Sequence, residues 1–221
     1  EAMGKTQKIG NATIMNIDCM EYMKTLPDKF FDLAVCDPPY GLGDRLLNGG
    51  CRGGMGSLKN LCDSKVKKWD IPPRKEYFLE ISRICKKYII WGGNYFLDHL
   101  NATDGFLIWD KMNGTNPMSD AELAWKSFSG TTRIFRMHHF SHGYDCKIHP
   151  TQKPVKLYEW ILTNYAKPGQ TIFDSHMGSG SSAIAANNLG FEYVGCELDT
   201  DYYEAACKRI AHHASQERLF A

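Results

Sequence analysis

Asp37-Pro38-Pro39-Tyr40 follows directly after an apolar segment, Phe31–Cys36, that is typical of a buried strand. Each proline fixes its own backbone torsion and restricts the residue before it to extended conformations, so this turn is expected to be rigid. Because proline has no N–H, the turn offers carbonyl oxygens and the Asp37 carboxylate but few donors. Such a corner suits a substrate that presents N–H groups, for example an exocyclic amine, and Tyr40 adds an aromatic face for a base. An ordinary strand-to-loop turn with a surface tyrosine is the alternative.

A second candidate site is the segment 173–180, Phe-Asp-Ser-His-Met-Gly-Ser-Gly, between an apolar strand and a helix. Small residues at such a place let a ligand approach the backbone at the N-terminus of the helix. Glu197 ends the next strand, 23 positions after Asp174, where its carboxylate could bind both hydroxyls of a ribose. The Gly-x-Gly-x-x-Gly spacing of dinucleotide sites is absent, so an adenosine ligand without a pyrophosphate fits, and a glycine-rich packing turn is the alternative.

The elements that must position these two sites alternate between strands and helices, which predicts a mostly parallel sheet covered on both faces. Apolar segments predict strands at 12–17, 31–36, 88–91, 106–109, 171–173 and 191–197. Helices are predicted at 19–26, 74–87, near 94–100, 154–166, 181–189 and from Asp201 onwards. The neighbouring segments 123–126 and 131–137 predict an antiparallel pair.

The composition is that of an ordinary globular protein, with 43% hydrophobic and 23% charged residues among 221, which excludes a disordered chain, a collagen or a coiled coil. No apolar run approaches ~18 residues and no signal pattern is visible, so neither membrane insertion nor secretion is expected. The eight cysteines form no Cys-x-x-Cys pair, and most lie in apolar stretches. They are therefore expected to be reduced core residues of a cytoplasmic protein.

The net charge of +1 conceals an uneven distribution. Residues 45–75 carry eight basic and two acidic side chains, a net +6, and residues 126–153 carry five basic and one acidic, a net +4. These segments favour contact with a phosphate backbone, and solvated basic loops are the alternative. Seven glycines between positions 41 and 56 also predict a mobile basic loop at 41–70 that contacts the substrate, rather than an inert insertion.

Together the motifs resemble the amino-group DNA methyltransferases, in particular the permuted β class in which Asp-Pro-Pro-Tyr precedes the cofactor glycine motif. The resemblance covers nearly the whole chain. Besides the two sites, it rests on Asn16-Ile17-Asp18-Cys19, Trp91-Gly92-Gly93-Asn94, His149-Pro150-Thr151-Gln152-Lys153-Pro154 and Gly195-Cys196-Glu197-Leu198-Asp199 with Tyr202-Tyr203. One departure is Ser175-His176, which stands where the family usually has Pro-Phe.

The resemblance implies one α/β domain over 1–221, with the Rossmann-like, seven-stranded, mostly parallel sheet of S-adenosylmethionine-dependent methyltransferases and an antiparallel edge pair. In it the strand before Asp174 lies beside the strand before Asp37, and both turns open at the switch point where such sheets bind ligands. The implied cofactor is S-adenosylmethionine, bound by Asp18, Cys19, Asp37, Lys153, Asp174, Ser175, Gly178, Gly180, Glu197 and Leu198. No metal is expected, because His138, His139, His142, Cys146 and His149 match no common zinc spacing.

The activity that the resemblance implies is methyl transfer to the N6 amine of an adenine flipped out of double-stranded DNA, with Asp37, Pro38, Pro39 and Tyr40 as catalytic residues. Asp rather than Ser before the prolines favours adenine in this family. Methylation of cytosine N4 or of RNA, and a non-catalytic subunit that binds cofactor or DNA, are the alternatives.

DNA is the expected macromolecular partner, in a bacterial or phage-encoded, nucleoid-associated protein of restriction-modification type, with a homodimer left open. The target sequence is expected to be read by a short stretch at 110–149, by the 41–70 loop or by a second subunit. The residues expected to contact DNA are Arg45, Arg52, Lys65, Lys67, Lys68, Arg133 and Arg136.

Overall fold

Nine strands form one sheet in the computed structural model, which describes residues 4–42, 70–114, 119–138, 148–149 and 151–217. The strands are β1 (Thr6–Ile9), β2 (Ala12–Asn16), β3 (Phe31–Cys36), β4 (Cys85–Trp91), β5 (Phe106–Asp110), β6 (Ala121–Lys126), β7 (Arg133–Arg136), β8 (Thr171–Asp174) and β9 (Glu192–Glu197). The helices are α1 (Cys19–Lys24), α2 (Lys75–Ile84), α3 (Val155–Tyr165), α4 (Ser181–Asn188) and α5 (Thr200–Glu217).

The strand order β1-β2-β9-β8-β3-β4-β6-β5-β7 places β8 next to β3, and the two strands run parallel. The turns that follow Asp174 and Cys36 therefore open at the same edge of the sheet, which we call the catalytic edge. This confirms the predicted neighbourhood of the two candidate sites. It also places them where open α/β sheets bind ligands, because parallel strands present their carboxyl ends together.

The sheet belongs to the predicted α/β class and has an antiparallel edge pair, but it differs in two details. It has nine strands rather than seven, because β1 adds to β2 at one edge and the opposite end of the sheet carries β5, β6 and β7. The predicted pairing of 123–126 with 131–137 is wrong: β6 runs antiparallel to β4 and β5, whereas β7 runs parallel to β5.

The connection between β6 and β7 explains this difference. Its backbone crosses the start of β5 at Gly105, where an added Cβ would lie only 2.2 Å from the Gly130 carbonyl oxygen. Asp104 accepts the Gly130 N–H at 3.1 Å, and Thr132 Oγ1 accepts the Phe106 N–H at 3.2 Å. These bonds hold the connection against the start of β5. The chain therefore reaches the edge of β5 that faces away from β6, where β7 pairs, and β7 does not form a hairpin with β6.

Helices cover both faces of the sheet, as predicted, and the alternating residues of β3 divide between them. Leu33 and Val35 pack in the core beneath α3, α4 and α5, while Ala34 and Cys36 pack in the core beneath α1 and α2. The helix predicted near 94–100 is instead a short 3-10 turn, Gly93–Tyr95. Helix α2 ends at Ile84 because Cys85 already begins β4, so the predicted continuation to 87 is wrong.

The five cysteines in the described residues are buried and unpaired with one another. None of the helices in that part of the chain combines the length and apolar character needed to cross a bilayer. The described residues also contain no cluster of three metal-ligating side chains. Three of the residues weighed as zinc ligands, His139, His142 and Cys146, lie outside them.

Candidate active site

A cavity of about 900 Å³ opens at the catalytic edge, and both candidate sites contribute to its wall. Most of the site residues predicted from sequence line it: Asp18, Cys19, Asp37, Pro38, Pro39, Tyr40, Lys153, Ser175, Gly178, Glu197 and Leu198. Asp174 and Gly180 do not reach the cavity and lie behind its wall. The fold thus brings together residues from four separate strand ends, in a volume that suits a ligand of nucleoside size or larger.

The Asp37 carboxylate has both oxygens occupied. Tyr40 donates its hydroxyl to Oδ1 at 2.5 Å, and Lys153 donates its ammonium to Oδ2 in a salt bridge. Burial raises the pKa of Asp37, and the opposing attraction of Lys153 only partly cancels this effect. Asp37 is therefore both a fixed hydrogen-bond acceptor and a better proton acceptor than a carboxylate in water.

Lys153, which was predicted to bind the cofactor, lies between two protein carboxylates. Its ammonium contacts Glu122 at 3.2 Å as well as Asp37, and Glu122 also contacts Lys111 at 2.6 Å. Burial alone would lower the pKa of Lys153, but its two acidic partners outweigh burial and raise that pKa. Lys153 is therefore charged. Glu122 lies in no recognisable motif, so its contact with Lys153 could not be predicted from the sequence.

Tyr40 turns its ring towards the motif Trp91-Gly92-Gly93-Asn94. A Cβ at Gly92 would lie 2.2 Å from that ring, and Gly92 also has a positive φ of 66°. Tyr40 also stacks on Tyr95, with ring centroids 5.0 Å apart and planes 20° apart. Tyr95 is 51% exposed, so the two rings form an aromatic step beside the cavity that the sequence did not reveal.

Asp174 stabilises the glycine-rich turn through hydrogen bonds to residues on both sides of it. Its Oδ1 accepts the His176 N–H at 3.0 Å, and its Oδ2 accepts the Ser182 hydroxyl at 2.7 Å. Burial raises the pKa of Asp174 to about 7 despite these two hydrogen bonds. Gly180, at φ 77°, packs against α5, where an added Cβ would lie 2.8 Å from Ile210 Cδ1. Both residues therefore shape the turn without lining the cavity.

Gly178 and Glu197 meet at the cavity wall. Glu197 accepts the backbone N–H groups of Gly178 and Asp199, each at 2.9 Å, and burial raises its pKa to about 7. Gly178 has a positive φ of 54°, and an added Cβ would approach only the His149 ring, at 3.8 Å. Asp18 caps α1 by accepting the Met20 N–H at 2.7 Å. Two carboxylates and the glycine-rich turn thus surround one end of the cavity.

Ser175 and His176, which depart from the family pattern, form a polar chain with α2. The Tyr77 hydroxyl lies 2.7 Å from Ser175 Oγ, which in turn lies 2.8 Å from His176 Nδ1. Burial lowers the pKa of His176 to about 4, so its ring is neutral at pH 7. All three side chains line the cavity. Tyr77 lies on the buried face of α2, and the apolar periodicity of that helix gives no sign of this contact.

The predicted DNA-contact residues divide into three groups. Arg45, Arg52, Lys65, Lys67 and Lys68 lie outside the described residues, as do most of the 41–70 loop and part of 110–149. Arg136 is exposed and pairs in register with Asp110, at the catalytic edge, where its Nε lies 3.3 Å from the Asp110 carboxylate. Arg133 is also exposed but begins β7, about 10 Å back along the strand. The structure therefore separates the two arginines.

Comparisons with known sequences find methylases. A family model described as DNA methylase matches residues 101–208. The YubD protein of Escherichia coli (strain K12) is 24% identical over 225 residues, which cover 88% of each chain. The type II methyltransferase M.HinfI of Haemophilus influenzae is 26% identical over 252 residues, which cover 90% of this chain and 68% of that protein.

Solved structures share the architecture. The crystal structure of an M1.HpyAVI–SAM complex superposes with a TM-score of 0.60 and 20% identity, covering 90% of this chain and 98% of the other. The cytosine-N4-specific PvuII DNA methyltransferase superposes with a TM-score of 0.63 and 14% identity, covering 97% of this chain and 96% of the other. At these identities the likeness establishes the fold, which is that of S-adenosylmethionine-dependent methyltransferases.

Proposed function

We propose that this chain, which belongs to the family of amino-group DNA methylases, transfers a methyl group from S-adenosylmethionine to the N6 amine of adenine in double-stranded DNA. The observation that carries this proposal is the Asp37-Pro38-Pro39-Tyr40 turn at the wall of a cavity shared with the glycine-rich turn after β8. One turn supplies acceptors for an amine, and the other surrounds space for an adenosine ligand.

The volume of the cavity and the groups that line it suit S-adenosylmethionine. Glu197 and Asp18 supply carboxylates for the ribose and adenine end, and the absence of a Cβ at Gly178 lets a ligand approach the backbone of the turn. The neutral His176 ring adds a flat face to the same wall. When bound, S-adenosylmethionine supplies a methyl group on a sulfonium sulfur, which keeps the electron pair of the broken carbon–sulfur bond.

Asp37 and Pro38 activate the amine by accepting its two N–H groups. The amine lone pair is delocalised into the base, and two fixed acceptors favour the geometry in which the lone pair points towards the methyl group. Positive charge develops on the nitrogen in the transition state, so a preorganised carboxylate and carbonyl stabilise it. After transfer the nitrogen releases one proton, and the raised pKa of Asp37 suits this residue to accept it before solvent does.

Tyr40 supplies a stacking face for the base, worth about 1–3 kcal/mol by the energetics of other base–aromatic contacts. The amine cannot be reached inside a stacked duplex, so the base must leave the helix. We place the protein in the cytoplasm, where the DNA of bacteria and phages is found.

Adenine N6 is proposed over cytosine N4 because Asp, and not Ser, precedes the two prolines. Cytosine remains the second candidate, since the PvuII enzyme that shares this fold is cytosine-N4-specific. Both bases present an amine beside a ring nitrogen, so the acceptors at Asp37 and Pro38 fit either one.

Methyl-labelled S-adenosylmethionine incubated with duplex DNA, followed by digestion to nucleosides, tests the proposal. Label in N6-methyladenine is the expected result. Label in N4-methylcytosine would refute the base assignment, and label in RNA alone would refute DNA as substrate. DNA without label, in a protein that binds the cofactor, would indicate a non-catalytic subunit.

A further inference from the structure

The Asp37 carboxylate already holds two donors before any substrate amine binds. Tyr40 occupies Oδ1, and the Lys153 ammonium occupies Oδ2. Each carboxylate oxygen can accept a second hydrogen bond, so an amine N–H that binds Asp37 shares an oxygen with one of these donors, and the Lys153 charge weakens the oxygen that it contacts as an acceptor. Lys153 is 3% exposed, so its charge cannot move into solvent without a large change in structure.

A second acceptor for the Lys153 charge already lies in contact. Glu122, near the start of β6, contacts the ammonium at 3.2 Å. Lys111, just after β5, contacts the other Glu122 oxygen at 2.6 Å. Burial opposes ionisation of Glu122, but Lys153 and Lys111 outweigh it and lower the pKa to about 2, so this carboxylate is charged.

We infer that Glu122 is a positioning residue for methyl transfer: it takes up the Lys153 ammonium when Asp37 turns its carboxylate towards the substrate amine. This inference rests on the proposed function and adds to it a residue outside every motif that the sequence displays. The ammonium needs to move only between two carboxylates that it already contacts, so the exchange leaves no buried charge without a partner.

Several charged and titratable groups face Asp37 and set its acidity. They are Tyr40 from the same turn, Lys153 from the segment before α3, Glu122 from β6, Tyr158 from α3 and Asp174 from the end of β8. Glu122 is the neighbour that both repels a proton-free Asp37 and competes for Lys153. Removing the Glu122 charge ends its repulsion of Asp37 and leaves Lys153 to Asp37 alone. Both effects lower the pKa of Asp37.

The test compares Glu122→Gln with Glu204→Gln, a surface glutamate that pairs with Lys5 at 3.0 Å. In the protein without substrate, carbon-13 NMR should find that the Asp37 carboxyl titrates at lower pH in Glu122→Gln and unchanged in Glu204→Gln. With duplex DNA, kcat of Glu122→Gln should fall about tenfold, less than the about 100- to 1,000-fold lost when a direct transition-state contact is removed. The acidic limb of its pH profile should move to lower pH.

Lys111→Met separates charge exchange from general support of the fold. Without Lys111, Glu122 attracts Lys153 more strongly, so the Asp37 midpoint should rise, opposite to its shift in Glu122→Gln. A structural role would lower the unfolding temperature in both variants without opposite shifts in titration.

An Asp37 midpoint and a kcat profile in Glu122→Gln that match Glu204→Gln would overturn the inference. So would a shift in the same direction in Glu122→Gln and Lys111→Met. Failure of the wild-type protein to methylate any base would refute the proposed function instead, and the NMR titration of the free protein distinguishes the two failures.

Discussion

The ring of Tyr40 lies so close to Gly92 that a single added methyl group at Gly92 would lie 2.2 Å from the ring. The two residues come from the turns after β3 and β4, which are adjacent parallel strands. The absence of a side chain on one strand end therefore determines where the aromatic face of the other can lie. The motif Trp91-Gly92-Gly93-Asn94 therefore leaves the space that the ring of Tyr40, the proposed stacking residue, occupies.

Gly92→Ala should displace Tyr40 and reduce methyl transfer more than cofactor binding. The positive φ of Gly92 adds backbone strain of about 1 kcal/mol or more to the steric clash. The measurement compares the fold loss in kcat/KM for DNA with the fold rise in the cofactor Kd. Gly190→Ala is the control. Gly190 has a similar φ of 74° but open space around it, so it carries the strain without the clash. Equal losses in both variants would contradict the role assigned to Gly92.

Tyr40→Phe should retain most activity, while Tyr40→Ala should lose it. Phenylalanine keeps the ring and releases Asp37 Oδ1 from its 2.5 Å hydrogen bond. Alanine removes the stacking face and should weaken binding of an extrahelical base by about 1–3 kcal/mol. Fluorescence of 2-aminopurine at the target position would report base extrusion. Equal activity in the two variants would exclude stacking on Tyr40.

Asp37→Ala should abolish methyl transfer while cofactor binding persists within several-fold. The variant removes the carboxylate acceptor and leaves Lys153 paired with Glu122, so the charge of Lys153 remains compensated. Isothermal titration with S-adenosylmethionine and a labelled-methyl assay measure the two properties separately. Turnover within about tenfold of wild type would refute the proposed role, since loss of a direct transition-state contact costs about 100- to 1,000-fold.

Asp174→Asn should stabilise the protein at pH 8 relative to wild type. The folded pKa of Asp174 is raised to about 7, so its contribution to stability is complete at acidic pH and is lost as pH rises towards about 7. Asparagine cannot ionise and avoids this loss, which is on the order of 4 kcal/mol at most. Urea unfolding at pH 5 and pH 8 measures the difference.

Asp32→Asn is a control of opposite sign. Burial opposes ionisation of Asp32, but hydrogen bonds from Lys86 and Thr171, at 2.7 and 2.9 Å, lower its pKa. Its stabilisation is therefore present above the unfolded pKa and is lost as pH falls, so Asp32→Asn should destabilise the protein at pH 8. If Asp174→Asn also loses stability at pH 8, the raised pKa of Asp174 is contradicted.

Arg136→Gln should weaken DNA binding and reduce the slope of log affinity against log salt by about one, whereas Arg133→Gln should change neither. Both arginines are exposed and lie on the same strand, but only Arg136 reaches the catalytic edge. Fluorescence anisotropy with a DNA duplex at several salt concentrations measures both quantities. Equal effects would place the DNA along the whole of β7 rather than at its end.

The sequence predicted those parts of the site that depend on strand ends and local turns. The rigid turn at Asp37 and the glycine-rich turn after Asp174 follow from patterns within short segments, and the family resemblance implied that they meet at adjacent strands. The pairing of β7 did not, because it depends on a backbone crossing at Gly105 that no local pattern reports. The same limit hid Glu122, a polar residue in a short strand whose importance comes from two lysines that lie distant in sequence from one another.

Lys111 and Glu122 also lie at the two ends of the segment 112–121, within the stretch 110–149 that was predicted to read the DNA target. Their side chains pair at 2.6 Å, and the Lys111 N–H donates to the Asp120 carbonyl at 2.8 Å, so both ends of the intervening loop are fastened together. Glu122 also contacts Lys153, the partner of Asp37. A substitution at this ion pair would therefore reach both the stretch 110–149, predicted to read the DNA target, and the charge beside Asp37.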